Sequence, residues 1–349
     1  MAYALYDEKI GYYTHQTHIF GERGDFITAP TLSPLFSKAL AQQVAEVLRA
    51  LPKADVLELG PGTGIMAAHI LQTLAQLDAL PEHYYLIEIS DVLKKRQRET
   101  ILSICPELLP LCEWIPAIPH APFRGVILGN EFLDALPVDR FLFENGQFLQ
   151  SQVHSENGHW HESFVSSQDP KFMAAIQSVV EELPETLPEA YLSEVSSAVR
   201  ETVAKLAAQL DEGLMLFIDY GFGVQEYYHP DRNEGTVMCH YKQTAHANPF
   251  INVGEQDITA HVNFTEVAKV AVENGCLISG YNTQADFLIA LGILEQHSSE
   301  DVKENILQAQ ALKKLLMPHE MGELFKVIAL SKNFAHALVG FSKDLSHRL

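Results

Sequence analysis

Glu58, Gly60, Gly62 and Gly64 alternate with other residues at the end of a short apolar run, Val56-Leu57-Glu58-Leu59. Glycines at this spacing let backbone approach a bound group that a side chain would hold away. The run reads as a buried parallel strand, and residues 63–77 carry apolar side chains at helical spacing. Strand, glycine-rich turn and helix in this order form a nucleotide cradle at the carboxyl edge of an α/β sheet. The alternative is a tight turn without a ligand, which a lone G-x-G would suit equally well. A dinucleotide fingerprint needs a third glycine where this chain has Ile65, which argues against a nicotinamide oxidoreductase.

The observed G-x-G-x-G, with Glu58 ahead of it, resembles the first motif of class I S-adenosyl-L-methionine methyltransferases. That ligand carries a sulfonium and a free amino acid end, and carboxylates suit its cationic groups. Glu88 closes the apolar run Tyr85-Leu86-Ile87, where an acidic residue accepts hydrogen bonds from ribose hydroxyls. Asn130-Glu131-Phe132-Leu133-Asp134 follows another apolar run, Val126-Ile127-Leu128-Gly129, at the same sheet edge. Methyl transfer needs a nucleophile held in line with water excluded. If that nucleophile is a guanidinium nitrogen, Glu131 and Asp134 can grip the cation and localise its charge. The competing reading makes Asn130 a helix cap with Glu131 at the positive helix end. Asp219-Tyr220-Gly221 reads either as a strand-end turn or as part of the site. His261, between Asp257 and Asn263, reads as a packing or positioning residue or as a proton acceptor, and His240-Tyr241 is equally open. The spacing supplies too few ligands for zinc.

Alternating strands and helices predict a doubly wound, mostly parallel sheet. Strands are expected over 54–60, 84–89, near Trp114 and over 126–129. Helices are expected over 32–51, with Ser33 as cap and Pro34 in the first turn, and over 91–102. Asn145-Gly146 and Asn157-Gly158, each flanked by alternating segments, predict an antiparallel meander over 141–165. Helical patterning returns over 169–210, broken at Pro184 and Pro188. The sheet resumes at 214–219 and is followed by a long loop, a helix over 264–274 stopped by Gly275, and strands over 276–281 and 325–330. The expected organisation is an N-terminal cap over the cofactor site at 1–50, the two halves of the sheet at 51–140 and 211–349, and an inserted subdomain at 141–210.

The 349 residues are 47% hydrophobic and 20% charged, ordinary for a globular chain with a large core. The formal net charge of −21 disfavours a nucleic acid partner and favours a basic protein. No apolar run reaches the length of a membrane span, and MAYALYDEKIGYY has no signal or transit character, so the expected location is cytoplasmic. Cys105, Cys112, Cys239 and Cys276 have neither metal nor disulfide spacing, which suits a reducing compartment.

Together these segments resemble the MidA family, relatives of the mitochondrial arginine methyltransferases that assist assembly of respiratory complex I. The resemblance runs along nearly the whole chain. It is carried by Tyr12-Tyr13, Phe20-Gly21-Glu22-Arg23-Gly24-Asp25-Phe26-Ile27-Thr28-Ala29-Pro30, the glycine motif, Ile87-Glu88-Ile89-Ser90 and Asn130-Glu131-Phe132-Leu133-Asp134-Ala135-Leu136-Pro137. Ile218-Asp219-Tyr220-Gly221, residues 257–264, Thr283-Gln284 and Met321-Gly322-Glu323-Leu324-Phe325-Lys326 complete it. The resemblance implies a class I methyltransferase fold with a seven-stranded sheet, S-adenosyl-L-methionine as cofactor, and methylation of an arginine on a complex I-type subunit or another protein. It implies that Gly24, Asp25, Thr28 and Pro30 close over a cofactor held by Glu58, Gly60, Gly62, Gly64, Glu88 and Asn130, with Asn130, Glu131 and Asp134 in catalysis. Thr31 departs from the acidic residue usual in the family after Ala29-Pro30. A homodimer and a non-catalytic assembly factor that binds the same cofactor are the further expectations.

Overall fold

The computed structural model describes residues 1–15, 28–119, 122–242, 244–296 and 301–349. Fifteen strands occur among them. They are β1 (Asp55–Leu59), β2 (Tyr84–Ile87), β3 (Cys112–Ile115), β4 (Phe123–Asn130), β5 (Asp139–Glu144), β6 (Gln147–Glu156), β7 (His159–Ser166) and β8 (Tyr191–Val195), followed by β9 (Leu210–Phe222), β10 (Met238–Tyr241), β11 (Thr244–His246), β12 (Asp257–Thr259), β13 (Val262–Asn263), β14 (Leu277–Thr283) and β15 (Phe325–Lys332).

The central sheet runs β14-β15-β9-β4-β1-β2-β3, and short β13 joins it beside the end of β9. The strands from β9 to β3 are parallel, whereas β15 is antiparallel to both of its neighbours. Side-chain alternation explains why these strands read as unbroken apolar runs. Val56, Leu128, Leu214 and Leu216 enter the core on one face, with the helices Pro34–Ala50 and Ile65–Gln76. Leu57, Ile127, Met215 and Phe217 enter the core on the other, with the helices Ser197–Gln209 and Phe264–Glu273. This is the class I methyltransferase architecture that the strand order implies. Ser33 caps Pro34–Ala50 by accepting from Leu35 N at 3.2 Å, and Ser90 caps Asp91–Ile104. Among the described residues no helix is long and apolar enough to cross a membrane.

The meander is present as β5, β6 and β7, with Asn145-Gly146 and Asn157-Gly158 both at positive φ in its turns. Three expectations are corrected. The stretch 169–210 is not all helical: Tyr191–Val195 pairs with β5 as a fourth strand. Tyr191, Ser193, Glu194 and Val195 are buried, and a strand this short, three residues after Pro188, shows no alternation to mark it. The long loop after β9 also holds structure, an antiparallel sheet ordered β11-β10-β12. Its Cys239 and Ile258 pack with Ala4, Leu5 and Tyr12, so the N-terminal segment seats on this second sheet. The helix Pro34–Ala50, expected within the cap, lies instead in the core beneath the central sheet.

Gly125 shows how tightly the central strands are registered. It pairs with Asp55 on one side and Gly213 on the other, at φ +141°. A Cβ there would stand 1.9 Å from the Asp55 carbonyl oxygen. Gly125→Ala is therefore expected to remove about 3 kcal/mol or more of folding free energy, read as a lower urea midpoint at unchanged slope.

Candidate active site

The strands β1, β2, β4 and β9 end at one edge of the sheet, and a cavity of about 600 Å³ lies across it. Thr28, Pro30, Glu58, Gly60, Gly62, Glu88, Asn130, Glu131 and Asp134, all expected site residues, line this cavity. Gly24 and Asp25 lie outside the described residues. Gly64 does not line it. It stands at φ +78° before the helix Ile65–Gln76, where a Cβ would be 2.9 Å from Gln97 Cα. Its absence of side chain serves helix packing, so the alternating glycines have two different causes.

Gly60 and Gly62 adopt φ +61° and +53°. Glu58 is buried beside them, and the Tyr84 hydroxyl donates to its Oε2 at 2.5 Å. Its Oε1 has no hydrogen-bond partner, and burial pushes its pKa up to about 7. Glu88 accepts from Ser90 N at 2.8 Å and from Gln97 Nε2 at 2.9 Å, and burial raises its pKa. Gln97 Nε2 also donates to the Gly62 carbonyl at 2.9 Å, and Trp114 Nε1 donates to Gln97 Oε1 at 2.7 Å. One amide thus ties the glycine turn to the acidic end of β2. The sequence offered no signal for Gln97, a single polar residue in a polar helix.

Asn130 is the last residue of β4, and no helix follows it, so the capping alternative is corrected. Glu131 turns the chain at φ +48°. The next three N–H groups, of Phe132, Leu133 and Asp134, donate to Asp219 Oδ2 at 3.1, 2.9 and 3.2 Å. Asp219, reaching over from β9, does for these N–H groups what a capping side chain does for the first turn of a helix. Glu131 Oε1 accepts from Asn130 Nδ2 at 3.2 Å and from Ala29 N at 3.4 Å. Burial, then the charge of Asp134, raises the Glu131 pKa to about 8. Burial raises Asp134 to about 6, against the pull of the nearby Tyr220 hydroxyl. Asp219 is pushed up by burial and by both of these carboxyls, and its backbone donors oppose the shift.

Tyr6 and Tyr13 cover the same region. Their rings stack at 5.6 Å, Tyr6 donates to the Ala135 carbonyl at 2.9 Å, and Tyr13 donates to Asp257 Oδ1 at 2.8 Å. His261 also lines the cavity, and burial, then Arg232, lowers its pKa to about 4, so it is a neutral imidazole near pH 7. Among the residues that line the cavity, Glu58 Oε1, Asn130 Oδ1 and Asp134 Oδ1 are buried without a hydrogen-bond partner. Such a lining fits a ligand bearing cationic and hydroxyl groups.

The family model Methyltransf_28, which describes S-adenosyl-L-methionine-dependent methyltransferases, matches residues 39–282. The chain belongs to this MidA-like family. Among solved structures, the methyltransferase is similar to a COG1565 superfamily member from Burkholderia thailandensis bound to S-adenosyl-homocysteine. The two share 38% identity and a TM-score of 0.93, over 100% of this chain and 90% of that one. It is also 27% identical to the zebrafish protein arginine methyltransferase NDUFAF7, mitochondrial, over 95% of this chain and 82% of the relative. The human protein of that name is 27% identical over 95% of this chain and 83% of its own length. The methyltransferase is thus an enzyme that uses S-adenosyl-L-methionine.

Two outcomes follow from this geometry. Gln97→Leu is expected to weaken S-adenosyl-homocysteine binding about tenfold in calorimetric titration, with the fold retained, because Glu88 and the glycine turn lose their common donor. The second concerns stability. Between pH 4.5 and about 8 the folded chain keeps a proton on Glu131 that the unfolded chain has released. The stability this group contributes is therefore full below pH 4.5 and is lost as pH rises through about 8. Ligand-free Glu131→Gln is expected to be more stable than wild type by about 1–2 kcal/mol at pH 9 and equal to it at pH 4, measured by urea unfolding.

Proposed function

We propose that this enzyme transfers the methyl group to an arginine side chain of a protein. One observation carries the reading: half-buried Glu131 and buried Asp134 bring two carboxyls to the cavity that also holds the glycine turn. A neutral acceptor would leave these groups without a counter-charge. A guanidinium offers a planar array of N–H donors that matches carboxylates. The names of the zebrafish and human relatives support the same acceptor.

When bound, S-adenosyl-L-methionine supplies an electrophilic methyl group. Glu58 and Asn130, with their unpaired oxygens, are assigned to its cationic amino acid end, and Glu88 to its ribose hydroxyls. Gly60 and Gly62 leave room for it, and Thr28 and Pro30 cover it. Glu131 and Asp134 hold the guanidinium and draw its positive charge toward the nitrogens they touch. The remaining nitrogen is left with a freer lone pair and faces the methyl donor. The acceptor nitrogen sheds a proton once it carries the new carbon. Glu131, whose pKa lies near neutrality, is suited to take that proton.

The test uses tritiated S-adenosyl-L-methionine with arginine-bearing peptides and matched lysine peptides, followed by amino acid analysis of the labelled product. Label is expected on arginine. Glu131→Gln is expected to lower transfer about 100-fold or more while binding S-adenosyl-homocysteine like wild type. Label confined to lysine, or full transfer by Glu131→Gln, overturns the proposal.

A further inference from the structure

The second, three-stranded sheet turns one face toward the cavity. In the β10–β12 pair, Met238 stands opposite Thr259, Cys239 opposite Ile258 and His240 opposite Asp257. Alternation along both strands separates these residues into two sets. Cys239 and Ile258 point into the small core under the N-terminal segment. Met238, His240, Asp257 and Thr259 line the cavity. The sheet is therefore a two-sided wall, apolar behind and functional in front.

The functional side meets the acidic loop directly. Ala260 N, just past β12, donates to the Asp134 carbonyl at 3.0 Å. Asp134 and Thr259 are 5% and 2% exposed, yet Asp134 Oδ1 and Thr259 Oγ1 have no hydrogen-bond partner. The Tyr220 hydroxyl lies beside both side chains. Both residues line the same cavity. Unmet acceptors of this kind are destabilising unless something occupies the space between them. Asp257 stands on the same face as Thr259, two residues earlier, and the Tyr13 hydroxyl fixes its carboxyl.

We propose that Asp257 and Thr259 are acceptor-binding residues, gripping the N–H groups of a guanidinium that Glu131 and Asp134 leave free. The inference rests on the arginine reading of the acceptor. A guanidinium has five N–H donors in one plane, more than a carboxyl pair on one side satisfies. Donors on its far edge need acceptors on the facing wall, and β12 provides a carboxyl and a hydroxyl there. Met238 and the stacked Tyr6 and Tyr13 give an apolar channel to the aliphatic stem. An ammonium group, with three donors around a point, makes less use of two facing walls.

The test is ligand-observed NMR titration of the full chain saturated with S-adenosyl-homocysteine. N-acetyl-arginine methylamide is the probe, with the lysine analogue as comparison. Asp257→Asn and Thr259→Val are both close in volume to the native residues. Each is expected to weaken the arginine probe about tenfold while leaving S-adenosyl-homocysteine affinity unchanged. Thr259→Val is expected to leave the lysine probe unaffected. Wild-type binding of the arginine probe that both variants retain in full overturns the assignment of the wall and leaves the arginine reading standing. Loss of S-adenosyl-homocysteine binding in the variants also overturns it, since the residues would then serve the fold. A wild type that binds S-adenosyl-homocysteine but neither probe overturns the arginine reading itself, and the wall with it.

Discussion

The carboxyl of Asp219 anchors the turn that carries Glu131 and Asp134. It sits in the central strand β9 with its side chain buried, and it receives the N–H groups of three consecutive residues from another part of the chain. Its Oδ1 accepts a fourth, from Tyr220 N at 3.0 Å. Hydrogen bonds to an ionised group contribute about 1.5–3 kcal/mol each. They allow the chain to leave β4 without a helix, at the positive φ of Glu131, and still satisfy its backbone. The anchored turn presents both carboxyls to the cavity.

The same arrangement makes the site electrostatically unfavourable when nothing cationic is present. Glu131, Asp134 and Asp219 crowd one another, and burial removes the water that would screen them. A bound cation reverses each of these effects at once, favouring the ionised forms and filling the space between unpaired oxygens. The end of the cavity at β1 and β2 follows a different plan. There Gln97 and Tyr84 donate to Glu88 and Glu58 beforehand, so those carboxyls are oriented without a ligand. One end of the cavity is preset by neutral donors, and the other keeps its crowded carboxyls protonated to higher pH.

Much of the fold was legible because its strands are buried on both faces. Val56 and Leu57 enter opposite cores, so neither position tolerated a polar residue and the run stood out. The Asn-Gly turns of the meander were legible for a backbone reason, since few residue pairs take positive φ twice in succession. The strands β8, β10 and β12 were obscure because they are short and line a cavity or a small core. A strand reading Asp-Ile-Thr has only one apolar residue to announce it. Within the site, Glu58, Glu88, Glu131 and Asp134 were readable as acids at strand ends. Gln97 and Asp219 act through hydrogen bonds to backbone or to another side chain far away in sequence, and no local pattern reports such a bond. Gly64 belonged to the legible motif, but its cause, contact with Gln97 Cα, lies in a different helix.

The seating of the N-terminal residues on the second sheet has a consequence for biosynthesis. Tyr13 bonds to Asp257, a contact across 244 positions, and Leu5 and Tyr12 share a core with Cys239 and Ile258. A nascent chain emerges from its first residue onward, and contacts this distant close late. Residues 1–15 are made before residues 238–258 and must wait for them, apolar and unburied, while β1 to β9 are being made. The glycine turn after β1 can therefore take shape on the ribosome well before the second sheet is seated beside the cavity. Until then residues 1–15 are a stretch in need of shelter.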